Sequence, residues 1–283
     1  MNKISFKIFL SKMLLGIFLI SINTSVFAQI GIGIKAGPQV VGVGFSQSET
    51  KSNYDKKLKL GFQIGAVTNF YINDKVTLVM ELNYSMKGRN VQIKEANMEN
   101  NATYHFIDYP VLFRYSKEFQ DRTLGKFIGY FNIGPNFSYW LGGNGTLKGG
   151  ELENIGDSEL EYDIEFSSNK NVFGVMYIEE PNRIQVGIDL GVGMIFDLLD
   201  DKTITVDFRY SWGHTNYGEI DGAVTKLLTF QDDLRFSNQI FAISAIYMWN
   251  INLNSKNKGK SVSNSKENVG RKLPKVVKKR KLK

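Results

Sequence analysis

The stretch RIQVGIDLGVGMIF, residues 183–196, places a large apolar side chain at every second position. The alternate positions between Arg183 and Gly193 hold glycine, polar or charged residues. Because successive side chains of a β-strand point to opposite faces of the sheet, this alternation predicts a strand with one apolar and one polar face.

Seven further segments bring the number of predicted strands to eight. The clearest are residues 60–72, 76–87 and 203–212, and the less regular ones are residues 30–45, 103–117, 126–141 and 239–253. The first strand changes phase near Val40 and Val41, which predicts a β-bulge there. Pro110 and Pro135 interrupt the fourth and fifth strands, but the alternation continues on both sides of each proline.

The N-terminal residues 1–28 have the layout of a secretory signal peptide. Three lysines precede an apolar run over residues 13–20, and Val26-Phe27-Ala28 supplies a cleavage site before Gln29. An N-terminal membrane anchor is the alternative, but the run is well short of the roughly 20 residues that a spanning helix needs. We therefore expect an exported chain that begins at residue 29.

The net charge of +7 is unevenly distributed along the chain. Residues 254–283 contain 12 Lys and Arg and one acid, Glu267, so they carry +11. Residues 1–28 carry +3, which leaves −7 for residues 29–253. The basic segment has almost no large apolar residue, which predicts a disordered tail beside an acidic folded part. The chain has no cysteine, so disulfides cannot stabilise the exported fold.

The connections between the predicted strands alternate in length. Long ones fall near residues 46–57, 90–102, 142–182 and 213–238, and short ones near residues 73–75, 118–125 and 197–202. Outer-membrane barrels have short periplasmic turns and longer extracellular loops. The pattern therefore predicts an all-β fold, an eight-stranded antiparallel transmembrane up-and-down β-barrel over residues 29–253, in the outer membrane of a Gram-negative cell.

The two strand faces differ in the way that separates a membrane barrel from a soluble sandwich. One face is nearly all aliphatic or aromatic, and charge concentrates on the other. Because charge that faces lipid is costly near the midplane, the charged face is expected to line the lumen. An eight-stranded lumen is only wide enough for side chains to fill it, so we expect structural ion pairs there, with a narrow ion path as the alternative. The predicted lumen charges are Lys35, Glu81, Lys87, Asp108, Arg114, Asp189, Asp207 and Arg209.

An ordered set of motifs resembles the PorT-like outer-membrane β-barrel family. The motifs are Gly33-Ile34-Lys35-Ala36-Gly37, Glu81-Leu82-Asn83-Tyr84-Ser85-Met86-Lys87-Gly88, Tyr109-Pro110-Val111-Leu112-Phe113-Arg114-Tyr115, Gly134-Pro135 and Asp189-Leu190-Gly191-Val192-Gly193. The resemblance covers about residues 30–253 and implies an eight-stranded barrel in which both prolines are family features. It implies little about activity, although one branch of the family assists a protein-secretion machine.

Two further sets of residues are candidate sites. Residues 142–182 contain nine acids, seven of them between residues 151 and 165, which suits either a solvated loop or Ca²⁺, but the Asp-x-Asp-x-Asp-Gly pattern of a calcium loop is absent. Ser211, Asp207 and His214 resemble an acyl-transfer set, but Ser211 and His214 have opposite parity on one strand, so their side chains diverge. His105, the other histidine, is also expected near the outer rim. We predict no catalytic residue, cofactor site or metal site.

The sequence thus favours a non-enzymatic outer-membrane protein that is structural or docks other envelope components. The alternatives are a narrow pore for small solutes or ions and an enzyme at the outer rim. Expected partners are outer-membrane lipid and lipopolysaccharide, and a periplasmic or secretion-machinery protein that binds the basic tail. Because the tail follows an export signal, we expect no nucleic-acid partner.

Overall fold

A computed structural model describes residues 29–45, 54–94, 97–123, 125–154, 158–167, 172, 174–198, 201–218, 222–224 and 231–252. The predicted signal peptide, residues 1–28, and the predicted basic tail, residues 254–283, lie outside the described residues. Among the described residues, no helix has the length and apolar character needed to cross a membrane.

The described residues form a chain of strands with one short helix. In order, they are β1 (Gln29–Phe45), β2 (Tyr54–Lys57), β3 (Lys59–Tyr71), β4 (Val76–Ile93), β5 (Met98–Asp121), β6 (Gly125–Gly149), α1 (Glu151–Asn154), β7 (Glu159–Glu165), β8 (Val175–Tyr177), β9 (Ile184–Asp197), β10 (Lys202–Gly213), β11 (Gly222–Val224), β12 (Gln231–Asp232) and β13 (Phe236–Asn252).

Eight of these strands close into a ring in which all neighbours are antiparallel. The order around the ring is β1, β3, β4, β5, β6, β9, β10 and β13, and β13 pairs with β1. The predicted eight-stranded up-and-down barrel is therefore confirmed. Closure suits a membrane because lipid offers no hydrogen-bond partner to an open sheet edge.

The strands are strongly staggered around the ring. A path of directly paired residues leaves β1 at Ile30 and returns to it at Val40, after Phe70, Leu78, Phe113, Ile133, Leu190, Tyr210 and Phe241. Such a stagger fixes the tilt of the strands and the diameter of the barrel. Every side chain on this path is aliphatic or aromatic, and all belong to the outward face.

The outward face forms an apolar band that the lipid covers. Ile34, Leu60 and Ile184 expose 59%, 75% and 61% of their surface. The short connections and both described ends of the ring lie at one end of the barrel. Following the rule for outer-membrane barrels, we assign that end to the periplasm and the opposite end to the cell exterior.

The predicted bulge near Val40 and Val41 is wrong, because β1 keeps one register with both β3 and β13. Val41, Val43 and Phe45 point inward on the same face as Lys35, and all three are buried. The apparent change of phase is a change in the polarity of the interior, which becomes apolar toward the outer end. A register shift does occur between His105 and Phe106 of β5, where β6 has one extra residue.

Two of the predicted long loops are largely strand. β4 continues to Ile93 and β5 begins at Met98, so most of residues 90–102 forms a hairpin. β6 continues to Gly149, and β7 and β8 follow within residues 142–182. In these extensions the large apolar side chains point inward, because the strands have left the lipid, and most polar ones point outward; Arg89 and Asn100 are buried exceptions. We call residues 54–57, 88–93, 98–105 and 142–149, together with β7 and β8, the projecting sheet.

Candidate functional site

Five charged side chains meet in the middle of the lumen and form what we call the charge cluster: Lys35 of β1, Glu81 of β4, Asp189 of β9, and Asp207 and Arg209 of β10. Arg209 donates from Nη1 to Glu81 Oε2 and from Nη2 to Glu81 Oε1, both at 2.8 Å. Because β4 and β10 lie on opposite sides of the ring, this bidentate pair spans the lumen. Paired hydrogen bonds of this kind are both strong and directional.

The remaining contacts of the cluster surround that pair. Lys35 Nζ lies 2.9 Å from Glu81 Oε2 and 3.8 Å from Asp207 Oδ1. Arg209 Nη2 lies 3.0 Å from Asp207 Oδ1, and Arg209 Nη1 lies 3.7 Å from Asp189 Oδ2. All five residues are at most 5% exposed, so solvent scarcely reaches them from either end of the barrel.

Neutral polar side chains complete the shell around the acids. The Tyr130 hydroxyl donates to Asp207 Oδ2 at 2.6 Å, the Asn83 amide donates to Glu81 Oε2 at 2.9 Å, and the Asn136 amide donates to Asp189 Oδ1 at 3.3 Å. Inward glycines leave room for such groups. A Cβ at Gly191 would overlap the Asn132 side chain, which explains why glycine alternates with large apolar residues on β9.

The other three predicted lumen charges lie apart from the cluster. Lys87 Nζ donates to Asp108 Oδ1 at 2.7 Å and to Ser138 Oγ at 3.2 Å, on the outer side. Arg114, near the periplasmic end, departs from the expected pairing, because no described carboxylate lies within ion-pair distance of it. Its guanidinium stacks 4.1 Å from the Tyr130 ring centroid, and its Nε and Nη2 have no hydrogen-bond partner in the described part of the chain.

An apolar core closes the barrel above the charge cluster, and we call it the outer cap. Trp140 is fully buried at its centre, with the Phe166, Tyr217 and Tyr104 rings at centroid distances of 4.8, 5.0 and 5.3 Å. Ring pairs at these distances add to the stability that burial gives. The cap consists of Val43, Phe45, Tyr54, Val91, Ile93, Met98, Ala102, Tyr104, Phe106, Trp140, Leu147, Leu152, Leu160, Tyr162, Ile164, Met176, Ile178, Tyr217, Leu234 and Phe236.

A second, smaller apolar group adjoins the cluster on its periplasmic side. It consists of Val67, Val79, Leu112, Ile246 and Met248. Beside Lys87 and Asp189 a void of about 30 Å³ remains, which is room for about one water molecule. The interior is thus layered, with an ion-paired centre between apolar groups.

The acidic segment of residues 142–182 is not the loop that the sequence predicts. β7 alternates, with Leu160, Tyr162 and Ile164 buried in the outer cap, whereas its acids are exposed on the outward face. Those acids are Glu159, Glu161, Asp163 and Glu165. This part of the segment is therefore an amphipathic strand of the projecting sheet. Among the described residues, no group of three or more His, Asp or Glu side chains is placed to hold a metal ion.

Two tyrosines anchor the outer cap through their hydroxyls. Tyr162 donates to Asn100 Oδ1 at 2.7 Å, and the Asn238 amide donates to the Tyr217 hydroxyl. Burial raises the pKa of both tyrosine hydroxyls. Both groups therefore stay neutral, as a core of this kind requires.

The serine, aspartate and histidine considered for acyl transfer are dispersed. Asp207 is buried in the charge cluster, and His214 is exposed at the outer rim, where its ring lies 6.4 Å from that of Trp212. His105 faces outward and its Nδ1 lies 2.7 Å from the Tyr84 hydroxyl. The geometry assigns both histidines to the rim rather than to a shared site with Ser211.

Sequence reasoning missed Arg89, a fully buried cation in the outer part of the barrel. Its Nη1 donates to the Asp233 carbonyl at 3.0 Å, and its guanidinium lies 4.6 Å from the Phe236 ring centroid. Arg89 shares the parity of Glu81 and Lys87 on β4, and that parity is the signal that would have found it. The predicted strand ends at residue 87, so it does not include Arg89.

Several solved outer-membrane proteins are weakly similar to this chain. The outer membrane protein OprG from Pseudomonas aeruginosa is 13% identical, with a TM-score of 0.43 over 78% of this chain and 96% of that one. The attachment invasion locus protein Ail of Yersinia pestis is 11% identical, with a TM-score of 0.32 over 78% and 99%. Neisserial surface protein A is 11% identical, with a TM-score of 0.35 over 77% and 96%. No curated protein matches the chain.

A family model gives the chain its place among known proteins. The model is described as the outer membrane protein beta-barrel domain and matches residues 27–217, more than half of the chain. The match covers seven of the eight ring strands, and β13 completes the ring beyond it. The chain therefore belongs to the outer membrane protein beta-barrel domain family, which places it in the outer membrane.

Proposed function

We propose that this barrel is a non-conducting, non-enzymatic docking protein whose projecting sheet binds other components of the cell envelope. The observation that carries the proposal is the Arg209–Glu81 pair, which bridges opposite walls of a lumen with solvent-inaccessible charges. The outer cap above it supports strands that continue well beyond the lipid. Such a core suits a rigid surface rather than flexible loops.

The narrow pore is the weaker alternative. An ion that crosses the lumen would have to separate Arg209 from Glu81 and then pass the Trp140 region of the outer cap. Breaking a buried pair by removing one partner typically costs about 3–5 kcal/mol, so spontaneous opening is disfavoured. The rim enzyme is weaker still, because Asp207 is committed to the charge cluster and cannot orient His214.

Within the family we propose that the chain belongs to the PorT-like group. The motifs that suggest it supply the interior of the barrel, since Lys35, Glu81 and Asp189 all lie in the charge cluster. Arg114, from the fourth-strand motif, lies below them and stacks on Tyr130. Because the motifs fill the lumen, we expect this chain to share its barrel interior with other members of that group, and the motifs do not imply a shared activity.

Two kinds of partner follow from this proposal. Lipid and lipopolysaccharide cover the apolar band and border the projecting sheet. The basic tail, residues 254–283, follows β13 at the periplasmic end and carries +11, which suits an acidic periplasmic or secretion-machinery protein. A cleaved signal peptide, residues 1–28, would deliver the chain.

Photo-cross-linking in cells tests the docking role. A photoreactive residue at Thr146, on the outward face of the projecting sheet, is compared with one at Val192, which is 53% exposed on the lipid face. We expect a discrete cross-linked species from Thr146 that is absent from Val192. A third photoreactive residue, placed in the tail, should give a second cross-linked species. Identical patterns from Thr146 and Val192 would contradict a docking surface on this sheet.

A further inference from the structure

A polar groove of about 490 Å³ lies on the outward face of the projecting sheet. It is built from two rows of directly paired residues across β5, β6 and β7. The first row is Thr103, Asn144 and Asp163, and the second is Asn101, Thr146 and Glu161. Side chains of this size leave the face shallow and accessible.

Lys59 forms the wall of the groove on the β3 side. Its stem crosses Gly88, where a Cβ would lie 3.1 Å from Lys59 Cδ, and its Nζ donates to Asn101 Oδ1 at 2.5 Å and Thr103 Oγ1 at 2.7 Å. Its charge is therefore held by neutral groups, and no described carboxylate lies within 4.0 Å of it. One wall of the groove thus donates hydrogen bonds while the opposite wall, with Glu161 and Asp163, accepts them.

Cross-strand ion pairs form in the row of residues beside the groove but not among the groove residues of β6 and β7. In the next row outward, Lys148 pairs with Glu159 at 3.2 Å, and Glu99 pairs with Lys57 at 3.0 Å. In the groove, Asn144, Thr146, Glu161 and Asp163 make no side-chain hydrogen bond or ion pair with the described chain. Their hydrogen-bonding capacity is available to a ligand.

The position of the groove limits what that ligand is. Immediately below it on the outward face are Leu60, 75% exposed, and Leu141, 44% exposed, which mark the upper edge of the lipid band. The groove therefore opens at the level of the outer-leaflet headgroups. Two free carboxylates disfavour an anion, and Lys59 disfavours a simple cation.

We propose that this groove binds a saccharide through its hydroxyls, with Glu161 and Asp163 as acceptors and Lys59 and Asn144 as donors. Sugar hydroxyls both donate and accept, which matches the two walls. The sugar comes either from an outer-leaflet glycolipid or from a free polysaccharide. The inference rests on the proposal that the projecting sheet is the binding part of the protein.

The test uses the folded chain, residues 29–283, in detergent micelles and isothermal titration with three probes. The probes are lipopolysaccharide, a neutral lipid-free oligosaccharide released from its outer part, and lipid A alone. The groove variant is Glu161→Gln with Asp163→Asn, and the matched control is Glu159→Gln on the same face of β7. The control residue is paired with Lys148 outside the groove, and heat-modified gel mobility checks that every variant folds.

We expect the groove variant to weaken oligosaccharide binding at least tenfold and the control to change it less than twofold. If lipopolysaccharide and the lipid-free oligosaccharide both bind, the ligand is the sugar itself. If only lipopolysaccharide binds, and the groove variant loses that binding, the ligand is the glycolipid. Equal effects of both variants, or binding of lipid A with no effect of the groove variant, would overturn the site. A protein cross-link from Thr146 without saccharide binding would overturn this inference and leave the docking role standing.

Discussion

Arg209 of β10 and Glu81 of β4 face each other across the full width of the lumen and are joined by two hydrogen bonds of 2.8 Å. A pair between neighbouring strands would reinforce contacts that the backbone already makes. This pair instead connects strands that share no ladder, so it ties opposite walls of the barrel together. It also occupies the space through which a solute would have to pass.

Replacement of Arg209 by Met leaves Glu81 and Asp207 with only Lys35 as a cationic partner. We expect Arg209→Met to lower the free energy of unfolding by roughly 3–5 kcal/mol, because it leaves buried carboxylates uncompensated. The measurement is urea unfolding of the vesicle-folded barrel followed by tryptophan fluorescence. Lys126→Met is the control, since Lys126 pairs with Glu118 at an exposed site and should cost below about 1 kcal/mol. Equal losses in both variants would contradict the role of the cluster.

Arg114 is a second buried arginine in the same lumen, and we expect its replacement to have little effect on stability, in contrast to that of Arg209. It has no acidic partner among the described residues. Arg114→Met therefore removes the cost of a desolvated cation and loses the stacking contact with Tyr130. We expect a change within about 1 kcal/mol of wild type, measured in the same unfolding assay. A loss as large as that of Arg209→Met would show that Arg114 has a charged partner.

The packing of the inward glycines of β9 predicts that a second substitution can restore the stability that a glycine substitution removes. The three atoms nearest to a Cβ at Gly191 all belong to the Asn132 side chain, whereas those nearest to a Cβ at Gly193 include the backbone carbonyl oxygen of Val206. We therefore expect Asn132→Ala to restore most of the stability that Gly191→Ala removes, with a coupling energy of at least about 1 kcal/mol. Tyr130→Phe should not rescue Gly193→Ala in the same way. Additive effects at Gly191 and Asn132 would contradict the proposed packing.

The outer cap predicts that the projecting sheet can be weakened while the barrel stays folded. Trp140→Ala removes the ring at the centre of the cap and should cost the sheet roughly 3–5 kcal/mol. We expect faster proteolysis within residues 142–182 and an unchanged heat-modifiable band on gels. Trp212→Ala, at a 50% exposed position on the outward face, is the control and should leave proteolysis unchanged. Loss of the heat-modifiable band in Trp140→Ala alone would mean that the cap also holds the barrel.

The buried tyrosines predict an alkaline transition of the projecting sheet. Because burial raises the pKa of Tyr162 above its unfolded value, its contribution to stability is complete below about pH 10 and falls as the pH rises through the folded pKa. We expect limited proteolysis of the sheet to rise steeply above about pH 10 and less steeply in Tyr162→Phe. The same pH dependence in both proteins would contradict a neutral, buried Tyr162.

The sequence predicts the barrel well because lipid and lumen impose opposite polarities on alternate residues. Ile184 to Phe196 shows this directly, and the structure places that stretch in β9 with the expected faces. The same rule fails at Val41, Val43 and Phe45, where the interior becomes apolar above the charge cluster. If the interior is assumed to be polar along all of β1, these inward apolar residues look like a shift in the alternation, although the strand itself is regular.

The site could be foreseen only in part. The parity of Lys35, Glu81, Asp189, Asp207 and Arg209 identifies them as lumen residues, but parity does not give height in the barrel. The stagger between strands, from Ile30 to Val40 around the ring, sets which charges meet and leaves Arg114 below the others. That stagger depends on pairings between distant segments, which no local pattern encodes.

The most direct test of a closed barrel is the electrical conductance of the refolded chain, residues 29–283, in a planar lipid bilayer. The Arg209–Glu81 pair and the outer cap predict no steady current above the bare bilayer at moderate voltage. A stable, ohmic conductance from protein that shows the heat-modifiable band would contradict the closed lumen, and with it the assignment of function to the projecting sheet.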